Sequence, residues 1–130
     1  PPNWDLAQRI IGRQYIYLGW ALRDEKDWER LLSVPNPVPG ADLKVGDESL
    51  YWLQEGVEMH FVSDSSNPAE AAEQQNLIPV MCDNPAANNH IPLGVNVLYL
   101  DGHVEYVKMG ARFPALPSVA KYFADHIPKK

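Results

Sequence analysis

The stretch "NHIPLGVNVLYLDGHVEYV", residues 89–107, sets two runs of alternating residues around a single Asp101-Gly102 pair. Asp-Gly between such runs predicts a β-hairpin, because a type I′ turn needs positive φ at both central residues. A two-residue loop sets Tyr99 against Val104 and Val97 against Tyr106, which makes one face apolar. Pairs of this kind stabilise by roughly 0.2 to 1 kcal/mol each. Asn96, Leu98, Leu100, His103, Glu105 and Val107 then form a mixed second face.

Outward from the hairpin, short elements alternate with stiff loops, in keeping with 12 prolines in 130 residues. "QYIYLGW" (14–20) has the aromatic and β-branched content of a strand, and Asp5 is placed to cap a short helix before it. Asp24 is placed to cap a helix over "DEKDWERLL", with acidic residues in its first turn and Trp28, Leu31 and Leu32 on one face. "PNPVPG" (35–40) ends that helix and opens a rigid loop to about Asp47. "ESLYWLQEGVEMHFVSD" (48–64) reads as a helical turn followed by a strand through Val57, Met59 and Phe61. In "NPAEAAEQQN", Asn67 at the cap, Pro68 at the first helical position and Glu70 form a start resembling a capping box. "IPVMCD" (78–83) is a short strand with Pro79 at its entrance, and "SVAKYFADHI" (118–127) is a closing helix. The expected fold is therefore α+β: a small antiparallel sheet with a C-terminal Asp-Gly hairpin packed against short helices. Residues 1–130 make one domain.

Composition excludes several functions. A formal charge of −6 argues against nucleic acid, whose binding draws on clustered Lys and Arg. No apolar run is long enough for a membrane span. Cys82 is the single cysteine, so no intrachain disulfide forms. The chain opens on Pro1-Pro2, so the lack of a targeting segment does not locate it.

The chemistry-bearing residues gather near the hairpin. His90, His103, Asp83 and Asp101 are of the types that hold zinc or, through Asp83, Asp101 and loop carbonyls, calcium. Against a metal, no short ligand spacing such as HExxH or CxxC is present, and Asp101 is equally suited to serving the turn. Cys82 lies in an apolar strand, as a small core residue does more often than a nucleophile. "SDSS" (63–66) lacks the glycines of a nucleophile elbow, and there is no Gly-rich phosphate loop. His60 and His126 have no partner evident from spacing. The catalytic inventory is poor, and the chain reads as a non-enzyme.

The segments 14–22, 53–84 and 89–114, in that order, resemble the pseudopilin-like proteins with a prepilin-type processing-associated C-terminal domain, named for a His, an intervening stretch and Asp-Gly. Ten residues separate His90 from Asp101-Gly102, where the family name implies nine. The family's hydrophobic N-terminal helix is not among the 130 residues. The resemblance implies an exported α+β domain of the cell envelope or exterior, related to the major pseudopilin of type II secretion. It implies a structural subunit of a filament or pseudopilus, with calcium at Asp83 and Asp101 as an open possibility.

Three functions are weighed. The first is a structural or assembly subunit that contacts itself or other subunits of an exported complex, with Trp4, Tyr17, Trp20 and Trp52 as interface candidates. The second is a divalent-metal module or metal-dependent enzyme centred on Asp83, His90, Asp101 and His103. The third is an extracellular ligand-binding module that uses an aromatic face.

Overall fold

The computed structural model describes residues 15–84 and 94–126. Strands β1 (Tyr15–Tyr17), β4 (Pro79–Asp83), β5 (Gly94–Tyr99) and β6 (Val104–Lys108) form one antiparallel sheet in the order β1-β4-β5-β6. β2 (Leu43–Val45) and β3 (Glu48–Leu50) form a separate hairpin. The helices are α1 (Glu25–Leu32), α2 (Pro68–Leu77) and α3 (Pro117–His126), with a 3-10 helix at Val57–Phe61. The α+β expectation holds at this level.

The caps explain where the helices begin. Asp24 accepts from the Asp27 N–H at 2.9 Å and starts α1. Asn67 accepts from the Ala69 N–H at 3.0 Å and starts α2, with Pro68 at its first position. Glu70 does not close a capping box on Asn67. It reaches further back, accepting from Ser63 N–H and Oγ at 2.8 Å and from Asp64 N–H at 3.1 Å, and so ties down the "SDSS" loop.

The core lies on one side of the sheet. Ile16, Cys82 and Val97 form a row across β1, β4 and β5, and Val95, Tyr99 and Val107 flank it. Trp28 and Leu31 of α1, with Val119 and Phe123 of α3, pack against that row. Trp28 anchors the layer, with its ring centroid 5.3 to 6.0 Å from those of Phe113, Tyr122 and Phe123. A smaller cluster of Ala21, Leu53, Val57 and Ile78 sits beside it.

Three expectations change. The loop up to Asp47 contains β2, which turns through Gly46-Asp47 into β3, so residues 48–50 are strand and not a helical turn. Val57, Met59 and Phe61, which alternate as in a strand, lie instead in a 3-10 helix opened by Gly56 with φ 85°. The third change is the β5–β6 register. Leu98 faces Val104, Val97 faces Glu105 and Asn96 faces Tyr106, one residue away from the two-residue-loop register.

Gly94 shows how tight the hairpin base is. An added Cβ there meets the Val107 carbonyl oxygen at 2.5 Å and the Tyr106 ring at 2.7 Å. Gly94→Ala is expected to cost about 1–3 kcal/mol in urea unfolding. Adding Tyr106→Ala should restore only part of that loss, because the carbonyl contact remains; full restoration would show that the ring alone sets the limit.

Candidate functional site

The β5–β6 turn is built over three residues. Tyr99 N–H donates to the His103 carbonyl at 2.9 Å and Gly102 N–H donates to the Tyr99 carbonyl at 2.9 Å, with Gly102 at φ 92°. These bonds and the left-handed Gly102 match the common three-residue hairpin loop. It needs positive φ at Gly102, and Asp101 is left to use its side chain. Asp101 Oδ1 accepts from His103 N–H at 3.0 Å and contacts His103 Nδ1 at 2.5 Å.

Of the residues proposed for a metal, the turn therefore joins Asp101 and His103. His103 is also held elsewhere: its Nε2 lies 3.5 Å from Glu105 and its ring stacks on Tyr99 with centroids 4.6 Å apart. Arg112 continues the network by pairing with Glu105 and donating to the Tyr99 hydroxyl at 3.3 Å. Asp83 is not part of it. Its carboxylate accepts from the Asn96 backbone N–H at 2.8 Å and side-chain amide at 3.2 Å, and Asn96 lies three residues before Tyr99, or about 10 Å along the strand. His90 falls outside the described residues. Among the described residues no group of three or more His, Cys, Asp or Glu is arranged to hold a metal ion.

The electrostatics of the turn follow from these contacts. The hydrogen bond to Asp101 is the main cause that raises the His103 pKa; desolvation opposes it, and the Asp101 charge and the contact with Glu105 add to the rise. The backbone N–H of His103 is the main cause that lowers the pKa of Asp101. Arg112 is the main cause that lowers that of Glu105.

Beside this network lies a cleft of about 510 Å³ lined by Arg23, Asp24, Gln74, Tyr99, Glu105 and Arg112. Its cations are committed to the fold. Arg112 pairs as above, and Arg23 lies 3.9 Å from Asp27 and 3.9 Å above the centre of the Phe61 ring. Cys82 is buried in the core, and burial first, then the Asp83 charge, push its thiol up to about 12. It is held as a protonated core side chain at neutral pH.

The changed register has its largest effect on the side of the sheet away from the core. There Tyr17, Met81, Leu98 and Val104 align across all four strands. Tyr15, Asp83, Asn96 and Tyr106 make a second row, joined by the Tyr15–Asp83 and Asn96–Tyr106 pairs and the Asp83–Asn96 hydrogen bonds. Tyr15, Val104 and Tyr106 are 56%, 63% and 57% exposed, and Tyr17 is 37% exposed. Contiguous exposed apolar residues are unusual on a monomer's surface.

Among the interface candidates, Tyr17 is on this face. Trp20 is fully buried: its indole N–H donates to the Ala41 carbonyl at 2.9 Å and its ring meets Trp52 edge-on at 4.9 Å, which takes it out of any contact surface. Trp52 is half-buried against it, and Trp4 lies outside the described residues. Tyr15 and Tyr106 are among the aromatic residues that the sequence offers for an interface; Met81, Leu98 and Val104 are not singled out there, because the two-residue-loop register sets Val104 against Tyr99 and Leu98 against Glu105. Compared with known proteins, the chain matches no family model, no curated protein and no solved structure.

His103 gives a direct check on the turn. Because folding raises its pKa above 6.5, the pair's contribution to stability is complete below the unfolded value and is lost as pH rises through the folded one. Asp101→Asn should bring the His103 ring titration, followed by NMR, down toward the ordinary range. An unchanged titration would remove Asp101 as the cause.

Proposed function

We propose that the protein is a non-enzymatic structural subunit of an exported or envelope-associated assembly, and that it works through self-association or docking to other subunits. The outer face of the sheet is the observation that carries this reading. Its two rows bring three tyrosines, a leucine, a valine and a methionine together, with Tyr15, Val104 and Tyr106 more than half exposed. Tyrosine and methionine are enriched at protein interfaces.

The resemblance of residues 14–22, 53–84 and 89–114 to pseudopilin-like proteins supports the same reading and supplies the exported location and the filament or pseudopilus setting. The poor catalytic inventory agrees with it: the one thiol is buried and protonated, and the His103 cluster is held by its own turn. No helix of the described residues is long and apolar enough to cross a membrane. The outer face is proposed as a protein contact.

Light scattering and negative-stain imaging of the purified native protein test the reading. A particle larger than one chain is expected, and Tyr17→Lys with Leu98→Lys should reduce its mass while changing stability by no more than about 1 kcal/mol. A monomer in every condition would sink self-assembly. A large particle indifferent to both lysines would remove the outer face as its contact surface.

A further inference from the structure

The cleft beside the turn takes Tyr99 and Glu105 from the hairpin. These alternate with Leu98 and Val104 of the outer face, so the cleft belongs to the other side of the sheet. Arg23 and Asp24, just ahead of α1, and Gln74, near the end of α2, complete its wall with Arg112. Its volume of about 510 Å³ is in the range that takes a small ligand.

Among the described residues, Trp28 Nε1, Glu58 Oε1 and Gln74 Oε1 are buried side-chain atoms with no hydrogen-bond partner. Of these residues, Gln74 is the one on the cleft wall. A buried amide oxygen without a donor is costly, and its position is where a ligand's donor belongs. The same cleft holds unused donors. Arg112 uses Nη2 for Glu105 and the Tyr99 hydroxyl, while its Nε and Nη1 donate to no described residue. The Arg23 guanidinium lies over Phe61 and near Asp27 without a hydrogen bond to either.

Charge and polarity select the class of ligand. Arg23 and Arg112 balance Asp24 and Glu105, so the wall is neutral in sum. A net anion placed there faces both carboxylates, and a net cation faces both guanidinium groups. An apolar ligand would desolvate those charges and leave Gln74 Oε1 without a donor. A hydroxyl donates one hydrogen bond and accepts two, so neighbouring hydroxyls can serve Gln74 Oε1 and an arginine N–H together. We propose that the cleft binds a neutral mono- or disaccharide, with Gln74 Oε1 accepting from one hydroxyl and the unused Arg112 N–H groups donating to another. A peptide also carries donors and acceptors, but Leu77 and Phe113 are the apolar members of the wall, which gives its side chains little to pack on.

NMR titration of the isotope-labelled chain with cellobiose, maltose and diacetylchitobiose tests the site. At least one of these sugars should shift the Gln74 side-chain amide together with the Tyr99 and Arg112 signals, and the shifts should saturate. Gln74→Met keeps the length of the side chain and removes the acceptor. It should leave the melting temperature unchanged or raised, and weaken the bound sugar about five- to fiftyfold. Undiminished binding by Gln74→Met would overturn the role of Gln74. Shifts confined to Tyr15, Tyr17 and Tyr106 would place the sugar on the outer face and overturn the cleft. Tighter binding of glucosamine, glucuronate or a capped dipeptide than of any neutral sugar would overturn the ligand class. No shift with any of the three sugars near their solubility limits would overturn the proposal as a whole.

Discussion

The 2.9 Å hydrogen bond from Gly102 N–H to the Tyr99 carbonyl closes the β5–β6 turn over three residues instead of two, and the character of the outer face depends on that count. Side chains alternate along a strand with a period of two, so one residue more or less in the loop moves the whole of β6 to the other side. With three residues, Val107 stays with the core while Val104 and Tyr106 join Leu98 and Asn96 outside. Asp101 and His103 secure the choice, because the Asp101 carboxylate serves the His103 N–H and ring together.

The sheet that results has two unlike sides. On one, α1 and α3 cover Ile16, Cys82, Val95, Val97 and Val107, and Trp28 fills the space between helices and sheet. On the other, tyrosines and aliphatic side chains stand in rows with one polar pair, Asp83 and Asn96, between them. An apolar side chain left in water forgoes stabilisation of about 25 cal/mol for each Å² it would bury. A surface of that kind is better suited to contact than to solvation, which is the physical basis for the proposed assembly role.

The helices were readable in the sequence because their signals are local: Asp24, Asn67 and Pro68 act within a turn of where they stand. The existence of the β5–β6 hairpin was readable for the same reason. Its register was not, because Asp101-Gly102 suits both loop lengths: Gly102 meets the positive-φ requirement of either one. Val104 and Tyr106 look like core residues when their strand is paired one residue out. The 3-10 helix at Val57–Phe61 was misread because three alternating apolar residues also suit a strand, and the sequence does not show that Gly56 turns the chain left-handed just before them. Of the suspected metal residues, Asp101 and His103 do meet, but local turn chemistry already explains their meeting.

The most direct measurement is a set of cross-strand Hα–Hα contacts in the β5–β6 hairpin by NMR. Directly opposed residues without mutual hydrogen bonds bring their Cα atoms to about 4.5 Å, so the three-residue loop predicts contacts from Asn96 to Tyr106 and from Leu98 to Val104. Contacts from Val97 to Tyr106 or from Tyr99 to Val104 would instead show the two-residue loop. Val104 and Tyr106 would then belong to the core side, and the outer face would lose the residues on which its proposed role rests.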